Sequence, residues 1–174
     1  MKNKMVKYPL ILGVVALVAG LLLALVHNIT APVIEKNAIK RENAAILEIF
    51  GEDIELENIS EDISDEEKSK GVNNAYIVES EGKEYYVYKI TIKDGVHSDD
   101  SAAIVALQNG KIHTLKFTSV GDEYAKVYDT KSFVGSIVNK GSLSSSDVIS
   151  GCTATGSNLV ESVNAAIAHY GRVK

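Results

Sequence analysis

One uncharged run near the start of the chain constrains its architecture most. The 19 residues from Tyr8 to Val26 carry no charged side chain. As a helix with a rise of about 1.5 Å per residue, the run would span about 28 Å, close to the thickness of the hydrocarbon core of a bilayer. It therefore predicts one transmembrane helix over residues 8–28. No small-x-small cleavage pattern follows the run, which favours a retained anchor over a removed signal peptide.

Charges on either side of the run predict how the helix is oriented. Lys2, Lys4 and Lys7 precede it, whereas no Lys or Arg follows it until Lys36. By the positive-inside rule, residues 1–7 are expected in the cytoplasm and the remainder of the chain outside it. The sequence thus predicts a single-pass protein of the cell membrane.

The rest of the chain predicts a stalk and one folded domain. A helical pattern over residues 29–50 that ends at Gly51 predicts a stalk helix, and residues 51–174 predict one extracytoplasmic domain. Short runs rich in Tyr and β-branched residues predict strands, and Asn109-Gly110 between two of them is a strong hairpin signal. These runs are Ala75–Glu79, Glu84–Ile92, Ser101–Gln108 and Lys111–Thr118. The pattern favours an α+β fold with an antiparallel sheet and flanking helices.

Three further segments complete this outline of the domain. Residues Glu123 to Val138 look helical in patches, and Asn158 to Tyr170 predict a final amphipathic helix. Its inward residues are expected to be Leu159, Val163, Ala166, Ile167 and Tyr170. Residues 52–67 contain nine acidic residues and no basic one. This composition predicts a solvated loop in preference to a docking face or a cation trap.

Composition excludes several classes of function. The net charge is -5 and the lysines are scattered, so nucleic acid is not expected as a partner. Cys152 is the one cysteine, and the four histidines lack ligand spacing, so the chain alone predicts no disulfide framework and no metal site. No dinucleotide-binding glycine pattern, P-loop or Ser–His–Asp set is present, and we predict no catalytic residue.

The stretch from Asp147 to Ser157 is chemically the most informative. It places hydroxyls and glycines just before the final predicted helix. The free N–H groups and the dipole of a helix N-terminus favour anions, above all phosphate. A simpler explanation is that Ser157 acts as an ordinary N-cap residue. The pattern alone leaves both interpretations open.

At these residues the chain resembles a known family. The order Asp-x-x-Ser-Gly-x-Thr, formed by Asp147, Ser150, Gly151 and Thr153, resembles the flavinylation motif of the FMN-binding domain family. That family includes the G subunit of the Rnf complex, which the chain resembles most, and the C subunit of the sodium-translocating NADH:quinone reductase. The basic start, the anchor, the Thr30-Ala31-Pro32 exit and the sheet before a C-terminal motif extend the resemblance over nearly the whole chain.

The resemblance implies a role for each residue of the motif. FMN is expected to be attached covalently to Thr153 through a phosphoester, transferred from FAD by a separate flavin transferase. Asp147 would serve recognition and metal-assisted chemistry by that enzyme, and Ser150-Gly151 would shape the turn. Thr155 continues the motif, and Cys152 stands where the family usually has Ala.

One departure from the family concerns the flavin ring. The Glu-Thr-Pro-Gly-x-Gly segment typical of the family is not evident, and Gly121-Asp122-Glu123-Tyr124 is its nearest counterpart. Glu123 and Tyr124 are therefore the candidate contacts of the isoalloxazine ring.

The resemblance implies an electron-carrying subunit of a membrane redox complex, assembled with other membrane subunits. Such a translocase couples electron transfer between ferredoxin and NAD to sodium or proton transport. Two alternatives remain open at the level of the sequence. The chain could be a stand-alone, membrane-tethered flavoprotein, or a non-redox structural or binding module.

Overall fold

The computed structural model describes residues 11–23, 43–51, 54–93, 99–121 and 123–174. The chain divides into two compact units, Met1–Ala44 and Ala45–Lys174. In the first unit, residues 11–23 form the described part of helix α1. Its large apolar side chains are exposed, namely Ile11, Leu12, Val14, Val15, Leu17, Val18, Leu21, Leu22 and Leu23.

The predicted transmembrane helix lies partly outside the described residues. Residues 11–23 belong to the predicted span of residues 8–28, and the rest of that span is not described, nor are residues 1–7 and 29–42. Among the described residues, no helix is both long and apolar enough to cross a membrane. The membrane span and the domain limits drawn from the sequence stay predictions.

The second unit is built on one five-stranded sheet. Its strands follow each other in sequence order and every neighbouring pair is antiparallel. They are β1 (Glu55–Asn58), β2 (Val72–Ser80), β3 (Lys83–Ile92), β4 (Ser101–Gln108) and β5 (Lys111–Ser119). The predicted α+β fold with an antiparallel sheet is confirmed.

Two tight turns fix the register of this sheet. Glu81-Gly82 joins β2 to β3 with φ angles of 53° and 69°, and Asn109-Gly110 joins β4 to β5 with 53° and 73°. Positive φ at both central residues defines the type I′ turn, whose twist matches that of the flanking strands. The hairpin predicted at Asn109-Gly110 is confirmed.

Helices cover both faces of the sheet. They are α2 (Ala44–Phe50), α3 (Asp65–Ser69), α4 (Glu123–Tyr128), α5 (Lys131–Ile137) and α6 (Thr153–Val173), with 3₁₀ turns η1 (Ser60–Asp62) and η2 (Ser145–Asp147). Residues of α4, α5 and α6 share one core with Tyr86 and Tyr88 of β3, whereas Ile46 of α2 packs against Tyr85 and Val87 on the opposite face. Side chains along β3 point alternately to the two faces of the sheet. Because helices cover both faces, β3 directs apolar residues to each of them.

The predicted stalk helix of residues 29–50 stays a prediction, and its described part contains helix α2. Helix α2 ends at Phe50, and Gly51 follows it with a φ of 94° while its N–H donates to the Leu47 carbonyl at 2.7 Å. This is the left-handed end that glycine favours. The helical patches predicted between Glu123 and Val138 are confirmed as α4 and α5.

The prediction of a solvated loop over residues 52–67 was wrong for most of the segment. Residues Glu55–Asn58 form the edge strand β1, which is paired with β2 on one side. An edge strand accommodates charged side chains more readily than a central one. Helix α3 begins at a capping box in which Ser64 and Glu67 exchange hydrogen bonds. Acidic residues in its first turn complement the helix dipole.

The final helix begins five residues earlier than predicted. It starts at Thr153 instead of Asn158, so Ser157 lies inside α6 and the N-cap interpretation of Ser157 was wrong. Leu159, Val163 and Ala166 are buried as expected, whereas Ile167 and Tyr170 are half-buried. The motif therefore forms the first turn of the helix and the loop before it.

Candidate functional site

The N-terminus of α6 carries the motif. Thr153 is the first residue of α6 and is exposed, with Cys152 as the N-cap residue. Before it, Gly151 has a φ of 89°, a conformation that residues with a Cβ rarely adopt, and the Cys152 N–H donates to the Ile149 carbonyl at 3.1 Å. The sequence prediction that Ser150-Gly151 shapes a turn agrees with this geometry.

This helix end is electrostatically open. Cys152 makes no side-chain hydrogen bond to the first turn, and the first turn contains no acidic residue. The first N–H groups of a helix have no partner within it, and the aligned peptide dipoles give this end a partial positive charge. The end can therefore accept an anionic group close to the Thr153 hydroxyl.

The other hydroxyl and thiol positions of the motif differ in exposure. Ser150 is exposed, Thr155 is buried, and Cys152 is half-buried against the core as a free thiol. Of these three hydroxyl-bearing residues, Ser150 and Thr153 are thus exposed. Thr155 faces the protein and is suited to packing under the helix end.

Asp147 lies in η2, three residues before Ser150, and is held within the chain. Its Oδ1 forms an ion pair with Lys140 Nζ, and its Oδ2 accepts from the Ser144 N–H at 2.9 Å and the Ser144 hydroxyl at 3.1 Å. Its side chain is 10% exposed. The hydrogen bond from Lys140, followed by those from Ser144, holds the pKa of the Asp147 carboxyl below its ordinary value. Asp147 is thus ionised and already engaged in the unmodified chain.

Tyr128, at the end of α4, connects the core to the motif loop. Its side chain is fully buried, and its ring packs edge to face against Phe133 with centroids 4.9 Å apart. The hydroxyl accepts from the Ile149 N–H at 3.1 Å and donates to the Cys152 carbonyl at 2.9 Å. These two contacts bracket the turn at Ser150-Gly151.

Glu123 and Tyr124 lie at the start of α4. Both residues are exposed, and Tyr124 is 55% exposed. A cleft of about 470 Å³ lies between α4, α5 and the η2 region, and neither residue lines it. Its lining includes apolar and polar side chains from all three parts, namely Val127, Phe133, Lys140, Asp147, Val148 and Ile149. The role of Glu123 and Tyr124 as ring contacts stays a prediction.

Sequence reasoning missed Tyr128 and Lys140. Both reach the motif from elements that precede it by more than five residues, so no local spacing joins them to it. The one available signal was a Tyr on the apolar side of a predicted helical patch, which also fits an ordinary core residue. Among the described residues, no group of three or more His, Cys, Asp or Glu is placed to hold a metal ion.

The fold and this helix end define an α+β domain that presents a threonine at an uncapped helix N-terminus. A family model for the RnfG N-terminal region matches residues 1–49. The predicted resemblance to the Rnf G subunit is therefore confirmed over residues 1–49, where the chain is RnfG-like. The match covers 49 of the 174 residues and does not include the motif that contains Thr153. No curated protein and no solved structure matches the chain.

Proposed function

We propose that the chain is a membrane-anchored, electron-carrying subunit of an Rnf-type complex, with FMN attached covalently to Thr153. The observation that carries the proposal is the exposed position of Thr153 as the first residue of α6. Two further findings support it. The order of Asp147, Ser150, Gly151 and Thr153 fits the flavinylation motif, and residues 1–49 match the RnfG N-terminal region.

The residues at this helix end fit a phosphoester of FMN. The phosphate would lie beside the first N–H groups of α6, which no side chain caps. No acidic residue of the first turn opposes its charge, and Gly151 provides the φ of 89° that residues with a Cβ rarely adopt in the turn before Thr153. Phosphate is the ligand group for which such an end is best suited.

Attachment would be a group transfer with FAD as the donor. The Thr153 Oγ1 forms a bond to the phosphorus nearer the riboflavin, and the bond from that phosphorus to the bridging oxygen breaks. AMP leaves with that oxygen, and the hydroxyl proton passes to a base of the flavin transferase. A threonine hydroxyl is a weak nucleophile, and among the described residues no base is hydrogen-bonded to Thr153, which supports a separate enzyme as catalyst.

After attachment, the chain's own residues hold and orient the flavin, which supplies the electron-transfer chemistry when bound. The covalent bond to Thr153 would fix the phosphate end of FMN at the start of α6. The same bond would prevent loss of the cofactor outside the cytoplasm. The exposed apolar surface of residues 11–23 supports an anchor in the membrane. Sodium or proton transport would be performed with the other membrane subunits of the complex.

Covalent attachment is tested by producing the full chain together with a flavin transferase. After denaturing electrophoresis, the band is expected to fluoresce under ultraviolet light and to have an intact mass raised by FMN less one water. Thr153→Val should abolish both signals, whereas Thr153→Ser, which keeps a hydroxyl, should retain them. Thr118→Val is the matched control, because Thr118, which lies on β5, is also an exposed threonine. A dark wild-type band at the unmodified mass would overturn the proposal.

Membership of a complex is tested separately by purification in mild detergent. Multi-span membrane partners that remain with the chain would support the Rnf-type assembly. A flavinylated chain that purifies alone would favour the stand-alone, membrane-tethered carrier instead.

A further inference from the structure

Tyr128 is the buried residue whose hydroxyl contacts the motif loop. The whole side chain is inaccessible to solvent, and its phenol is held by the edge-to-face contact with Phe133. Burial raises the pKa of the Tyr128 hydroxyl, which is therefore neutral and able to donate. A neutral, fixed hydroxyl can donate one hydrogen bond and accept others.

The Tyr128 hydroxyl both donates to and accepts from backbone groups of the motif loop. The hydroxyl accepts from the Ile149 N–H at the start of the turn and donates to the Cys152 carbonyl at its end. The Cys152 carbonyl also accepts from the Gly156 N–H at 3.0 Å, the first backbone bond of α6. One phenol oxygen thereby ties the turn at Ser150-Gly151 to the first turn of the helix that carries Thr153.

Gly156 provides the space that this contact needs. A Cβ placed on Gly156 would lie 2.1 Å from the Tyr128 hydroxyl oxygen and 2.7 Å from Val148 Cγ1. Both distances are far below van der Waals contact, and the tyrosine hydroxyl lies at the tip of a buried ring with little room to move. Glycine inside a helix is otherwise unfavourable by about 1 kcal/mol relative to alanine. Its presence at residue 156 is explained by the approach of Tyr128.

We infer that Tyr128, with Gly156 making room for it, is a positioning residue for flavin attachment to Thr153. This inference rests on the proposed function. Tyr128 acts through the loop backbone, which it holds in the turn that leaves Thr153 exposed for the transferase. Without the hydroxyl, residues 149–152 lose both contacts, and Thr153 spends less time in the conformation that can be modified.

The test compares two buried tyrosines. Tyr128→Phe removes the hydroxyl and keeps the ring. Tyr88→Phe is the matched control, because Tyr88 is also fully buried and its hydroxyl lies 3.0 Å from His169 Nδ1, in the last part of α6. Initial rates of flavin transfer are measured at several concentrations of the chain, and hydrogen exchange of the amides of residues 149–153 is measured on the unmodified chain.

We expect Tyr128→Phe to lower kcat/KM for the transfer about ten-fold, in line with two lost hydrogen bonds. The loop amides should exchange faster, while Tyr88→Phe leaves the transfer rate and the loop exchange unchanged. Given enough time, Tyr128→Phe should still become fully modified, because Thr153 itself is intact.

A second pair of variants tests the space at Gly156. Gly156→Ala should slow the transfer as Tyr128→Phe does, whereas Gly171→Ala should not, because nothing lies within 4 Å of a Cβ at Gly171. If the wild-type chain is modified and Tyr128→Phe reacts as fast as Tyr88→Phe, the inference is wrong. Unchanged loop exchange in Tyr128→Phe, measured below its melting temperature, would overturn it even if that variant is less stable. If the wild-type chain is not modified at all, the proposed function fails instead.

Discussion

The two ends of helix α6 differ in the side-chain contacts that stabilise them. At the C-terminal end, Arg172 donates to Glu67 Oε2 at 2.6 Å and to the Asp62 carbonyl at 3.0 Å, and its charge complements the helix dipole. At the N-terminal end, no side chain caps the first turn and no acidic residue opposes the dipole. One end is thus stabilised within the domain, whereas the other is left open to an anionic group.

Each end of α6 also lies beside one fully buried tyrosine from another element, Tyr88 of β3 and Tyr128 of α4, and the partners of the two hydroxyls differ. Tyr88 meets a side chain, His169 Nδ1, whereas Tyr128 meets backbone groups of Ile149 and Cys152. A side-chain partner stabilises packing, while backbone partners fix the course of a loop. The C-terminal end of α6 therefore contributes mainly stability, and the N-terminal end contributes mainly the presentation of Thr153.

The largest effect on stability is expected from Glu67→Ala at the C-terminal end. Glu67 is buried, accepts from Arg172 and from Ser64, and its loss leaves both donors without this partner. We expect a loss of about 2–3 kcal/mol in the free energy of unfolding, measured by urea denaturation. The rate of flavin transfer to the folded variant should equal that of the wild-type chain. A stable variant that is modified slowly would contradict the division of roles between the two ends.

A smaller effect at the same end should appear as a dependence of stability on pH. Burial lowers the pKa of the His169 imidazole below its ordinary value of about 6.5. The folded state therefore binds this proton less readily than the unfolded state, so the contribution is complete above about pH 6.5 and is lost as the pH falls through the lower folded-state pKa.

This pH dependence is measured as the free energy of unfolding between pH 8 and pH 5. Glu67 and Asp147 stay ionised over that range, because hydrogen bonds hold their pKa values below the ordinary ones. His169→Gln should flatten the curve. An equally steep loss of stability in His169→Gln would assign the dependence to another group.

At the N-terminal end, Lys140→Met separates two roles of Asp147. The ion pair with Lys140 occupies Asp147 Oδ1, whereas Ser144 alone still holds Oδ2. If Asp147 must reach a metal of the transferase, release of Lys140 should leave the transfer rate unchanged or raise it up to about threefold, while Asp147→Asn lowers it. Stability should change by no more than about 1 kcal/mol, since Lys140 is partly exposed. A rate as low in Lys140→Met as in Asp147→Asn would show that Asp147 acts through this ion pair.

The smallest effect is expected from Cys152→Ala. Cys152 is half-buried, and its contacts with the loop and with Tyr128 are made by its backbone. Alanine, the residue usual in the motif, should cost less than about 1 kcal/mol of stability and leave both the transfer rate and the redox behaviour of the modified chain unchanged. A lost redox signal would identify the thiol as a participant.

Much of the sheet could be predicted from local chemistry. Asn109-Gly110 favours one turn type, and this turn fixes the pairing of β4 with β5. Strand β1 could not be predicted in the same way, because its acidic residues are unfavourable for strands and its place at the edge of the sheet is a property of the whole fold.

The sequence names the candidate site residues, but it does not reveal the residues that support them. The N-cap interpretation of Ser157 placed the helix start at Asn158, whereas α6 begins at Thr153 although Gly156 is unfavourable inside a helix. Packing overrides this local preference, since Gly156 is required by the approach of Tyr128. Tyr128 joins the motif through tertiary contacts that no spacing in the sequence reveals.

Covalent attachment of FMN to Thr153 is tested by mass spectrometry of one tryptic peptide from the chain produced with a flavin transferase. Cleavage after Lys140 and Arg172 releases residues 141–172, which contain the whole first turn of α6 and the loop before it. We expect this peptide to be heavier by FMN less one water, and we expect fragmentation to assign the added mass to Thr153. An unmodified peptide, or an added mass on Ser150 or another residue, would contradict it.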